Sequence, residues 1–108
     1  MNEELKRARY SGNSIIIGID QELLRTLEWQ ENDELKFELM GNGICVSPAL
    51  GNKYEITRKL RNMGSGLILS VPKDVFFFMK WTPVSKDHQP TNLKLQPLGN
   101  KSLLIMKE

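Results

Sequence analysis

Histidine and cysteine are almost missing: the 108 residues hold one of each, His88 and Cys45. A lone cysteine excludes an intrachain disulfide and fits a reducing compartment. One cysteine and one histidine also fall short of the several convergent ligands a zinc site needs, so no metal and no other cofactor is expected. Apolar runs are short, and none approaches the roughly 18 residues that span a bilayer. The opening Met1-Asn2-Glu3-Glu4-Leu5-Lys6-Arg7 has no apolar secretion core. A cytoplasmic protein with no membrane partner is therefore expected. A Ser/His/Asp set, a nucleophile elbow and a glycine-rich phosphate loop are missing too, so no enzyme is expected and no catalytic residue is assigned.

What is present is ordinary in bulk, with 40% hydrophobic and 26% charged residues, as in soluble globular domains. The length fits one compact domain or two very small intertwined ones. Half a chain is near the lower limit for an independent core, so the halves should share one. The net charge of +2 hides a split: residues 1–50 carry five Lys/Arg against nine Asp/Glu, a net −4, while residues 51–108 carry ten against four, a net +6. Either a polyanion is drawn mainly to the second half, or the halves attract each other.

The chain also repeats itself. Arg9-Tyr10-Ser11-Gly12-Asn13-Ser14-Ile15-Ile16-Ile17-Gly18-Ile19-Asp20 returns as Arg61-Asn62-Met63-Gly64-Ser65-Gly66-Leu67-Ile68-Leu69-Ser70-Val71-Pro72, at an offset of 52 that holds without a gap to Trp29 and Trp81. Such a repeat marks one supersecondary unit used twice because it cannot bury its own apolar face. In the first copy a strand around Lys6–Tyr10 meets a Ser11-Gly12-Asn13 turn. A β-branched strand, Ser14–Ile19, follows. Asp20 stands at a helix N-cap position, and Gln21–Glu28 sets Leu23, Leu24 and Leu27 on one face. Asp33–Met40 alternates, turning Leu35, Phe37 and Leu39 one way, and Gly41-Asn42-Gly43 closes a hairpin onto Ile44–Val46.

The second copy keeps the order: strand Tyr54–Arg61, turn Asn62–Gly66, strand Leu67–Val71, Pro72, short helix Asp74–Met79. An insertion around Pro83–Pro90 adds six residues, after which Leu93-Lys94-Leu95 answers Leu35-Lys36-Phe37 and Leu103–Ile105 closes the last strand. Pro48–Lys53 is the linker. The division is 1–49 for the first repeat and 50–108 for the second. The unit reads as strand, turn, strand, short helix, strand, turn, strand, and the fold class is mainly β.

This order resembles the AbrB/SpoVT/MazE type of swapped-hairpin domain over about 7–47 and 57–106, with Met63-Gly64-Ser65-Gly66-Leu67-Ile68-Leu69-Ser70-Val71-Pro72-Lys73-Asp74-Val75 the better match. The resemblance implies two ββαββ units interleaved into a swapped-hairpin, double-psi-like β-barrel, here an intramolecular pseudo-dimer. It also implies a nucleoid-associated transcriptional regulator whose partner is double-stranded DNA. Carried over position by position, the DNA-binding residues would be Arg7, Arg9, Asn13 and Ser14 in the first copy and Lys59, Arg61 and Ser65 in the second. Arg7 and Arg9 stand two apart, as do Lys59 and Arg61, which sets each pair on one face of its strand. Such cations neutralise phosphates and release counterions; Arg also reads guanine and Asn adenine. The sequence departs from the family pattern at Gly18 and Ser70, where Arg is usual, and at Asp20, where Pro is usual.

Two other readings stand beside it. One is a protein-binding module of the antitoxin kind, against which counts the absence of a toxin-wrapping tail after Met106-Lys107-Glu108; the other is a scaffold that kept the barrel without strong DNA binding. Phe76-Phe77-Phe78 spreads over most of the helical wheel. Phe76 is then the core position, while Phe77 and Phe78 either form an interface for self-association into a dimer or lie under the insertion. Trp29 and Trp81 are expected in the core rather than stacking on bases.

Overall fold

The structure, a computed structural model, describes residues 4–64 and 66–108. β1 (Glu4–Lys6), β2 (Arg9–Ser11) and β3 (Ser14–Ile19) lead into helix α1 (Gln21–Leu27), then β4 (Glu34–Met40) and β5 (Gly43–Pro48). The second half follows with β6 (Thr57–Lys59), β7 (Arg61–Met63), β8 (Gly66–Val71), helix α2 (Lys73–Phe78), β9 (Leu93–Leu98) and β10 (Ser102–Lys107). All pairing between these strands is antiparallel, in a six-stranded sheet of order β1-β9-β10-β5-β4-β6 and a four-stranded sheet of order β2-β3-β8-β7.

Both orders read the same from either end once each strand is replaced by its counterpart in the other half. At the centre of the four-stranded sheet Ile17 faces Leu69, its own counterpart at the offset of 52. The six-stranded sheet has a matching centre. Leu98 and Ser102 enclose a three-residue loop where Met40 and Gly43 enclose two, so past the hairpin the offset becomes 59 and Cys45 faces its counterpart Leu104. A single pseudo-twofold axis thus relates the halves in both sheets. Across it β1 pairs with β9 and β6 with β4, so each half begins by adding a strand to the other half's hairpin.

The expected closed barrel is not formed: the sheets remain separate. Nor is each first strand continuous, as Lys6–Tyr10 and Tyr54–Arg61 were expected to be. Each breaks at a fully buried residue, Ala8 or Leu60, and passes there from the six-stranded sheet to the four-stranded one. Loop backbone meets the polar groups at the break. Val84 N–H donates to Ala8 C=O at 2.8 Å, and its counterpart Asn32 N–H donates to Leu60 C=O at 2.7 Å. These bonds satisfy groups that a continuous ladder would otherwise hold.

One core lies between the sheets and draws on both halves, through Ile15, Ile17, Leu23, Leu27, Leu35, Phe37 and Ile44 from the first and Leu60, Leu69, Phe76, Leu93, Leu95, Leu103 and Ile105 from the second. The apolar stripe of α1 is buried at Leu23, Leu24 and Leu27, as its spacing predicts. Leu39 lies past the edge of this core and is exposed, unlike Leu35 and Phe37. Asp20 occupies the α1 N-cap position with an extended backbone, but its side chain makes no cap bond. Its carboxylate accepts instead from Lys6 Nζ at 2.8 Å, a charge-assisted bond.

The insertion sits between Val84 and Thr91, pinched off at its base. Thr82 N–H donates to Thr91 Oγ1 at 2.8 Å, and Thr91 N–H to Thr82 C=O at 2.9 Å. The first half, without the insertion, closes its turn in the same way: Gln30 N–H donates to Asp33 Oδ2 at 2.9 Å and Asp33 N–H to Gln30 C=O at 3.1 Å. No helix among the described residues is long and apolar enough to cross a membrane.

Candidate nucleic-acid interface

Alternation along a strand sends neighbouring side chains to opposite faces. In the four-stranded sheet Ile15, Ile17, Ile19, Leu69 and Val71 turn inward. The outward face is then Ser14, Ile16 and Gly18 on β3 with Gly66, Ile68 and Ser70 on β8. Directly opposed residues share a face. Arg9 opposes Ile16 and Arg61 opposes Ile68, while Ser11 opposes Ser14 and Met63 opposes Gly66. The face therefore carries one arginine on each edge strand and no carboxylate on any of its four strands.

Ile16 and Ile68 lie on this outer face yet are only 2% and 6% exposed. Their cross-strand partners are the two arginines, a residue type whose alkyl stem can cover an apolar neighbour while the guanidinium stays in water. Arg9 and Arg61 are exposed, and an exposed guanidinium can make bidentate bonds to phosphate. The edges β2 and β7 are three inter-strand spacings apart, about 14 Å, close to the ~12 Å width of a DNA major groove.

The remaining sequence-derived residues are not all on this face. Asn13 is exposed in the β2–β3 turn beside Gly12, whose φ of +59° suits glycine. Ser14 opens β3, half-buried. Lys59 and Arg61 line one hollow together with Ser11, Ser14 and Ser70. Arg7 parts from Arg9: it stands at the strand break, and its Nε donates to Asn92 Oδ1 at 2.9 Å beside β9. The two-apart spacing thus does not put Arg7 and Arg9 on one strand face, because the strand ends between them. Ser65 lies outside the described residues.

Arg58 was missed from the sequence. It lies between Thr57 and Lys59 on β6, opposite Leu35, where alternation takes it away from the Lys59–Arg61 pair. Because β6 breaks at Leu60, Arg58 nonetheless reaches the hollow of Ser14 and Ser70. The signal was available in the repeat, since its counterpart Lys6 is also basic.

The aromatic residues divide. Trp29 and Trp81 are buried; Trp29 Nε1 donates to Lys101 C=O at 2.9 Å, and Trp81 packs edge-on to Phe76 at 5.7 Å. Neither offers a ring to a base. Phe76 is fully buried, whereas Phe77 and Phe78 are 42% and 68% exposed. The insertion does not cover them as one expectation had it; Val84 at its root bridges instead to Arg9, on the edge of the four-stranded sheet. His88 is exposed within the insertion, and its N–H donates to Ser85 Oγ at 3.3 Å. Cys45 is buried in β5, and that burial, with the charge of Glu38, raises its thiol above the ordinary value, against a smaller opposing pull from Lys36. Comparison with protein-family models, with curated proteins and with solved structures finds no match to this chain.

Proposed function

We propose that this chain binds duplex DNA through the outer face of its four-stranded sheet and acts as a transcriptional regulator of the AbrB-like, swapped-hairpin type. One observation carries the reading: Arg9 and Arg61 stand at pseudo-twofold-related places on a face without carboxylates. A twofold pair of arginines suits a duplex, whose backbones are themselves related by local twofold axes, and phosphate neutralisation dominates affinity in such contacts. The exchange of first strands between the halves, β1 onto β9 and β6 onto β4, supports the swapped ββαββ reading of the fold. In this reading the protein works in the cytoplasm, on the nucleoid. Fluorescence anisotropy with a generic duplex over a salt series is the test. Binding at low salt is expected, with a log–log slope that falls by roughly two in the Arg9→Ala/Arg61→Ala double variant. No binding at low salt overturns the reading.

The alternative, a protein-binding module of the antitoxin or scaffold kind, has an observation of its own in the exposed Phe77 and Phe78. Solvent-facing phenylalanines on a short helix suit a protein contact or self-association better than a DNA contact. Light scattering of the chain and of a Phe77→Ser/Phe78→Ser variant checks for self-association: a particle larger than one chain that shrinks in the variant supports the contact.

A further inference from the structure

The pseudo-twofold axis makes counterpart positions in the two halves comparable, and they are not equally equipped. Ser11 and Ser14 from the first half and Ser70 from the second line a hollow with Arg58, Lys59 and Arg61, which runs across the face past Ile16 and Ile68 to Met63. The counterparts of the three serines are Met63, Gly66 and Gly18, and those of the cations are Lys6, Arg7 and Arg9. The three serine hydroxyls thus have no hydroxyl at their counterpart positions.

The cations differ as well. Lys6 is held by the Asp20 carboxylate at 2.8 Å, and Arg7 is engaged with Asn92 at 2.9 Å. Pro72 stands where Asp20 would be in the second half, so Arg58 has no such carboxylate. Among the described residues Arg58, Lys59 and Arg61 form no ion pair within 4.0 Å. Arg58 Nη1 donates to the neighbouring Thr57 C=O at 2.7 Å, which leaves most of the guanidinium's five N–H donors unused. The hollow that continues past Ser14, Ser70 and Arg58 ends at Lys73 and Asp74, one charge of each sign.

We propose that the hollow of Ser11, Ser14 and Ser70 with Arg58, Lys59 and Arg61 is a phosphate-binding subsite built from both halves. Hydroxyls and guanidinium groups converging on one hollow match a tetrahedral oxyanion, which takes several short charge-assisted bonds at once. On the DNA-binding reading, on which this inference rests, one backbone phosphate is seated there, and the duplex is anchored mainly at this hollow. The −4 and +6 charges of residues 1–50 and 51–108 point the same way.

Two arms test it. Inorganic pyrophosphate is titrated into isotope-labelled protein and followed by NMR at the Ser11, Ser14 and Ser70 amides, with Lys6 and Arg7, the counterparts of Arg58 and Lys59, as the comparison end. Shifts confined to the serine end are expected; equal shifts at both ends, or none, overturn the subsite. In the second arm Arg58→Gln and Lys6→Gln are compared for duplex affinity across a salt series, each first checked for an unchanged melting transition. Arg58→Gln is expected to lose about tenfold at low salt and to flatten the slope by roughly one, with Lys6→Gln within twofold of the parent. Equal losses overturn the asymmetry. If Arg58→Gln is unstable, Ser14→Ala/Ser70→Ala replaces it, with a smaller loss expected in the same direction. Pyrophosphate shifts without duplex binding would retire the DNA reading and leave the subsite standing.

Discussion

Ile17 lies directly opposite Leu69 in the four-stranded sheet, each the other's counterpart in the repeat. In a symmetric dimer, self-paired residues mark the twofold axis; here the same relation is made within one chain. A slip of one residue would turn Ile15, Ile17 and Ile19 to solvent, so burial locks this register. The register in turn fixes Arg9 and Arg61 at matching places on the outer face. Core packing therefore sets the spacing of the two cations proposed to contact DNA.

Gly18 gives a gain-of-function test of that face. It lies mid-strand on the outer side, in line with Ile68 and Arg61, and a Cβ there would meet nothing within 4 Å. Its φ lies outside the left-handed range, so a side chain is unstrained. Gly18→Arg is expected to fold with stability unchanged or slightly improved, since glycine costs about 0.5–1 kcal/mol in a strand. It is expected to tighten duplex binding about five- to tenfold at low salt and to steepen the salt slope by roughly one. An unchanged anisotropy titration would place the DNA contact on another surface.

Much of this arrangement was legible in the sequence, for reasons that are physical. The leucine stripe of α1 and the inward Phe76 follow from helical geometry alone. The 52-residue offset announced the paired halves. The strand breaks were not legible, because exposed–buried–exposed at Arg7-Ala8-Arg9 reads alike in a straight and a bent strand; the bend depends on bonds from Val84 and Asn32, distant in sequence. Asp20 has the local signature of a helix cap, and nothing local reveals that Lys6, fourteen residues earlier, takes its carboxylate. Arg58 was hidden by the same break.

Gly43 is the opposite of Gly18. A Cβ on Gly43 would come within 2.6 Å of the Ile105 carbonyl oxygen, a backbone atom of the adjacent β10. Neither strand can give way without loosening the pairing that carries the Cys45–Leu104 centre. Gly43→Ala is therefore expected to destabilise by about 1–3 kcal/mol, the range of overpacking, as a lower urea midpoint. Gly18→Ala, made alongside, should show no such loss.

Cys45 gives a pH signature. Burial foremost, then Glu38, raises its thiol above the ordinary value of 9.0. The folded chain thus holds this proton more tightly than the unfolded chain. The resulting stability is complete below about pH 9 and is lost as pH rises through the folded-state value. The stability difference between the parent and Cys45→Ala is expected to shrink between pH 8 and pH 11 in urea titrations. The native thiol should also react with iodoacetamide far more slowly than the unfolded one; a flat difference across that range contradicts the burial account.

The insertion should be removable. Its ends are already joined by the Thr82–Thr91 bonds that match Gln30–Asp33 in the shorter half. Joining Val84 to Thr91 directly copies the Asn32–Asp33 connection and keeps the Val84–Ala8 bond that secures the first strand break. Loop closure depends only weakly on length, about 0.6 kcal/mol per doubling. Deleting Ser85–Pro90 is therefore expected to leave the circular dichroism spectrum unchanged and stability within about 1 kcal/mol of the parent. Phe77 and Phe78 should keep their exposure, since the insertion does not cover them. A deletion variant that fails to unfold cooperatively would mean the insertion does more than extend a turn that both halves close alike.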